Sequence, residues 1–178
     1  MSVKAILMFL ARGLFYLSLF GIGLFAFSET KSHWPRHRGD AALNGNSGQK
    51  IGTSLKLEWV FDAGDFLKSS VVVSGGVAFV GADTGIIHAV DVETGKEKWQ
   101  YKTGLGIEAP PLVHEGVVYI GSTDGFLYAF VGETGELFWR VRLGAEVGSS
   151  PAIDALNIIY VGGDPGIFAV NASDGSVL

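Results

Sequence analysis

Three aspartates sit where carboxylate chemistry would need them, Asp83, Asp124 and Asp164, each at a comparable point of successive chain segments. Carboxylates on neighbouring loops are the residue type that ligates a metal. Their neighbours favour a turn instead: Thr84-Gly85, Gly125 and Pro165-Gly166 are turn formers. The four histidines form no consistent set. His33 and His37 flank Trp34-Pro35-Arg36 in a loop, His88 lies within an apolar strand-like run, and His114 adjoins the Glu115-Gly116 turn. Asn171-Ala172-Ser173 fits a glycosylation sequon, yet it overlaps a turn. The chain has no cysteine, which excludes disulfides, thiol catalysis, thiolate metal sites and lipid attachment through a thioether.

The elements that carry these residues are short. There are 26 glycines but only 5 prolines, and the stretches between glycines are rich in Val, Ile, Phe and Tyr. Many tight turns between apolar runs point to an all-β protein rather than disorder. Charged residues make up 17%, below the usual share of about 25%. Net charge is −5, and −7 without Lys4 and Arg12. No basic stripe remains, which excludes nucleic acid as a partner.

A forty-residue period organises the chain. Trp59, Trp99 and Trp139 keep that interval, as do Ala89, Ala129 and Ala169, then Gly95, Gly135 and Gly175, and Pro111 with Pro151. Such a period belongs to a propeller blade or to a helical array. Segment chemistry decides for the blade. SSVVV, VAFV, IIHAV and the alternating run from Lys96 to Lys102 are four short strands broken by turns. The second unit repeats them, and the third repeats three. Leu57, Trp59 and Phe61 alternate with Lys56, Glu58 and Val60 as a lone outer strand preceding the first unit. Blades fall at about 63–102, 103–142 and 143–178, within a repeat region of 56–178.

Residues 89–99, AVDVETGKEKW, carry a tryptophan-docking motif. They resemble the A-x-D-x-x-T-G-K-x-x-W signature of pyrroloquinoline-quinone-type propellers. Ala89, Asp91, Thr94, Gly95 and Trp99 match it, with Lys96. The second copy keeps Ala129, Gly135 and Trp139 but has Val131 for the aspartate. The third keeps Ala169 and Gly175, with Asn171 as a substitute, and Trp59 is the docking residue of the lone strand. Trp34 to Gly45 (WPRHRGDAALNG) is similar to the segment that precedes such propellers. The resemblance implies a partial propeller of four-stranded antiparallel blades, about three of seven or eight. The motif residues are expected to pack: an indole sandwiched between blades, Gly95 at positive φ, and Asp91 holding turn amides.

The resemblance also raises an activity. Quinoprotein dehydrogenases of this type use calcium-bound pyrroloquinoline quinone, an aspartate base and often a vicinal cysteine pair. With no cysteine and no closed funnel, the chain reads as a scaffold without catalytic, cofactor or metal residues. It is similar in this to the propeller lipoproteins of outer-membrane barrel assembly. The alternative is the amino-terminal part of such a dehydrogenase.

The amino terminus is an address. Lys4 and Arg12 precede an uncharged run, Gly13 to Phe27, and small residues at Ala26 and Ser28 suit cleavage before Glu29. This is the pattern of a secretory signal, with an uncleaved apolar helical anchor as the rival. Residues 1–28 are therefore signal or anchor, and 29–55 an extended lead-in. Either way the remainder is expected outside the cytoplasm, periplasmic or extracytoplasmic. Protein partners are expected, with membrane contact only through this segment. Two full blades cannot close a ring, so an open arc that self-associates through unpaired blade edges is expected.

Overall fold

The computed structural model describes residues 33–40, 42, 45 and 53–178. The expected signal or anchor helix lies outside the described residues. Within them there is no α-helix: the described residues are all-β, with eleven strands in three antiparallel sheets. No described helix is long and apolar enough to cross a membrane.

The first sheet runs in the order β1 (Val72–Ser74), β2 (Val77–Gly81), β3 (Ile86–Asp91), β4 (Glu97–Lys102). The second repeats it with β5 (Leu112–His114), β6 (Val117–Gly121), β7 (Phe126–Val131), β8 (Leu137–Arg142). The third holds β9 (Ala152–Ile153), β10 (Ile158–Gly163) and β11 (Gly166–Asn171). Val177 makes a single bridge to Val170, and the Leu178 amide donates to the Ala169 carbonyl at 2.9 Å, where a fourth strand would pair.

Burial follows position in the blade. Every residue of β2 is buried, whereas the outermost strand β8 alternates half-buried and exposed side chains. That alternation is the signature of a strand with one face against a neighbour and one in water. Two cores result, each filled from successive sheets. Phe79, Ile87, Ile107, Ile120 and Phe130 fill the first, and Leu112, Leu127, Val147, Ile159 and Val170 the second. Burying each such side chain contributes roughly 1.5–3 kcal/mol. No sheet could bury both faces alone, so the sheets depend on one another.

Turns set the registers. The β1–β2 hairpin puts Gly75 and Gly76 at φ 61° and 82°, and the β5–β6 hairpin puts Glu115 and Gly116 at 48° and 80°. Two successive positive-φ residues are what a two-residue hairpin between twisted strands requires. The third unit uses a longer turn ending at Asn157, φ 61°, which accommodates its extra residue.

Residues 56–61, expected as a lone outer strand, join no ladder. No sheet of the described residues lies on their open side to receive their backbone groups. Side-chain alternation survives in part: Trp59 and Phe61 are half-buried while Lys56, Glu58 and Val60 are exposed. Leu57 departs from the expected face and is 76% exposed.

The lead-in is anchored on the inner edge. Trp34 pairs with Val73, and the Pro35 carbonyl accepts the Val113 amide at 2.7 Å. A turn follows, in which the Gly39 amide donates to Arg36 at 2.9 Å. Gly39 has φ 85°, and the Trp34 ring lies 2.8 Å from where a Cβ would stand.

Candidate blade interfaces and interblade cleft

The tryptophans make one contact three times. Trp59 Nε1 donates to the Val92 carbonyl at 2.9 Å, Trp99 to Gly132 at 2.9 Å, and Trp139 to Ala172 at 3.0 Å. Each indole also covers a glycine of the following unit. A Cβ at Gly95, Gly135 or Gly175 would stand 2.6, 2.5 or 2.8 Å from Trp59, Trp99 or Trp139. All three glycines have positive φ, between 68° and 75°. Glycine is required twice over, by backbone angle and by the ring above it. Ala89 and Ala129 lie fully buried beside Trp99 and Trp139 in the β3–β4 and β7–β8 ladders. Ala169 sits on β11, opposite Tyr160.

Asp91 is built into its turn. One carboxylate oxygen accepts the Glu93 and Thr94 amides at 3.1 and 2.9 Å and the Thr94 hydroxyl at 2.8 Å. The Thr94 hydroxyl and amide bonds hold this carboxyl below the usual carboxylate range. Asn171 accepts from the Ser173 amide and hydroxyl, both at 2.9 Å. At Val131 the side-chain acceptor is gone, and the Thr134 amide bonds the Val131 carbonyl at 3.3 Å.

The three turn aspartates form no metal-ligating cluster, and the Asp83 and Asp124 side chains reach back to the segments that precede β1 and β5. Asp124 accepts from the Gly104 amide at 2.7 Å, the Phe126 amide at 3.1 Å and the Tyr128 hydroxyl at 2.7 Å. Burial, and then this bond, push the Tyr128 phenol well above its ordinary range. Asp83 pairs with Lys68 at 2.7 Å, and Lys68 also meets Glu108 at 2.9 Å. These two bonds raise the Lys68 ammonium above its usual range. Asp164 contributes backbone groups, its amide donating to Glu146 at 2.9 Å. No cluster of metal-ligating side chains occurs among the described residues.

His88, without a partner legible in the sequence, has one. Its Nδ1 lies 2.7 Å from Glu97 Oε1, and its ring meets Phe61 edge-on at 5.3 Å. The bulge between Ala89 and Val90 shifts the β3–β4 register and thereby aligns this pair. His33 lies 3.4 Å from the Ser74 hydroxyl, and His114 lies 3.1 Å from Asn157. His37 is exposed in the lead-in turn.

Beside the β1–β2 and β5–β6 hairpins the first two sheets part to leave a cleft of about 600 Å³. Val77, Phe79, Val113 and Val117 line it, with Lys98, Glu115 and Glu133 among its polar groups. The corresponding space between the second and third sheets measures about 190 Å³.

Residues 38–178 match the family described as outer membrane protein assembly factor BamB. The chain belongs to that family. It is a PQQ-repeat β-propeller chain. Its fold is similar to that of BamB from Moraxella catarrhalis, at 24% identity and a TM-score of 0.60 over 67% of this chain. It is also similar in fold to the quinohemoprotein alcohol dehydrogenase from Comamonas testosteroni, at 22% identity and a TM-score of 0.72 over 82%. A europium-containing methanol dehydrogenase gives 16% identity and 0.72 over 84%. The chain spans 39% of that BamB structure, 26% of the alcohol dehydrogenase and 31% of the methanol dehydrogenase. No curated protein sequence matches it.

Within this BamB-family chain, two features of the interfaces escaped the motif. The carbonyl that receives each indole lies 33 residues on, at positions occupied by Val92, Gly132 and Ala172. A backbone acceptor leaves no side-chain signal. The cleft likewise depends on which side chains are small, so it is visible only once the sheets are aligned.

Proposed function

We propose that this chain is part of an exported, non-catalytic propeller scaffold that binds protein partners in the cell envelope. One observation carries the reading: the recurring residues of the repeat are engaged in stacking blades. Trp59, Trp99 and Trp139 each cover a glycine and bond a carbonyl of the next unit. Ala89, Ala129, Ala169, Asp91, Thr94, Gly95, Gly135 and Gly175 support those contacts as a packing set. The Asp83 and Asp124 side chains are engaged by the Lys68 ammonium and by the Gly104 amide. The family's description as an outer membrane assembly factor supports an envelope location, as do Lys4, Arg12 and the apolar run after them.

Two measurements test this. A reporter fused after Leu178 is expected to be active only when it works outside the cytoplasm; activity confined to the cytoplasm overturns export. Titration with pyrroloquinoline quinone and calcium, followed by intrinsic fluorescence, is expected to show no saturable site. Saturation at micromolar quinone would establish the dehydrogenase alternative instead.

A further inference from the structure

The two interblade spaces are the same place in successive units, and their linings differ: Lys98 in the first stands where Phe138 stands in the second, and the hairpin residues differ as well. In the second, His114 Nε2 lies 3.1 Å from Asn157 Oδ1 and ties the hairpins together. The matching positions across the first are Ser74 and Gly116. Glycine has no side chain to complete the bridge, and the cleft stands open at about 600 Å³ against about 190 Å³. That volume falls in the ~300–1,000 Å³ range of ligand clefts. Its floor is apolar, from Val77 and Phe79 on one sheet to Val113 and Val117 on the other.

Charge at the mouth selects the guest. Glu115 and Glu133 are both exposed on the rim, which also carries one ammonium, Lys98. Lys98 is also within the field of Asp91, whose carboxylate it stabilises. The Glu115 carboxylate has only a long approach to His114, at 4.0 Å. Glu115 also holds φ 48° in a hairpin where the first unit has Gly75. The hairpin requires that angle, so the glutamate's place on the rim is fixed by the backbone.

We infer that this cleft receives an arginine side chain of a partner protein, its stem on the Val77–Phe79–Val113–Val117 floor and its guanidinium between Glu115 and Glu133. Arginine fits better than lysine because its planar fork offers donors to two carboxylates at once, and its aliphatic stem tolerates an apolar bed. The inference rests on the scaffold reading and names the chemistry of its partner.

Titration of the full chain with N-acetyl-arginine amide, followed by amide chemical shifts, tests it. Saturable binding is expected, with shifts at Glu115, Gly116 and Glu133, and none with the uncharged isostere N-acetyl-citrulline amide. Glu115→Gln with Glu133→Gln is expected to weaken binding at least tenfold. Ser74→His with Gly116→Asn, which rebuilds the second unit's bridge, is expected to do the same with both carboxylates intact. Lys98→Ala removes the opposing charge without touching the floor, and is expected to tighten binding about twofold. Absence of saturable binding, equal binding of citrulline, or affinity unchanged in all three variants overturns the inference. Those outcomes leave the scaffold reading standing as long as quinone does not bind. A saturable quinone site would overturn the scaffold reading whatever arginine does.

Discussion

Replacing Trp99 by alanine is expected to cost about 3 kcal/mol of stability, the lower end for loss of a large aromatic side chain because this one is half-buried. The ring packs against Phe79 and Phe130, with centroids 5.8 and 6.0 Å away, so its removal opens the first core from the outer side. The indole bond to Gly132 goes with it, leaving a carbonyl of a buried residue without that donor. Urea unfolding followed by far-UV circular dichroism measures the loss. A change within about 0.5 kcal/mol, as at ordinary surface sites, would show that the indole does not hold the two sheets together.

Gly135→Ala is the complementary change, made on the receiving side. Its φ of 75° costs an L-residue roughly 1–2 kcal/mol. The added methyl would also stand 2.5 Å from Trp99 and push the ring off its seat. The combined loss is expected to be about 3 kcal/mol, from strain and lost packing together. Gly75→Ala separates the two contributions, since Gly75 has φ 61° but nothing within 4 Å of a Cβ. It should lose only the conformational part, about 1 kcal/mol. Equal losses in the two variants, measured by the same unfolding curves, would mean that the ring contact carries no energy.

The propeller architecture was legible because its signals are local and repeated. A tryptophan every forty residues, short β-branched runs and glycine turns require no knowledge of distant partners. The hydrogen bonds of the Asp91 carboxylate were equally readable, since their donors lie within three residues. What could not be read depends on register across strands. The His88–Glu97 pair needs the bulge at Ala89/Val90 to align, and nothing in the sequence marks that bulge. Leu57 has the alternation of an inner-face residue, but the segment joins no sheet and the leucine stays in solvent. The cleft was invisible for a related reason. It is wider than its counterpart where Ser74 and Gly116 stand in place of the bridged His114 and Asn157 and where Lys98 stands in place of Phe138, differences spread over distant positions.

The lead-in changes how the repeats communicate. In a linear array each unit senses only its immediate neighbours, and the array can fray from either end. Here one short segment, Trp34-Pro35, bonds β1 through Val73 and β5 through Val113. It acts as a crossbar on the inner rim, adding a coupling between two units that does not pass through their shared packed face. Opening either inner strand must release the same dipeptide, so the first two blades share one opening event. Amide protons of β1 and β5 would then exchange with a common free energy, while β9, which lacks the crossbar among the described residues, is free to open on its own.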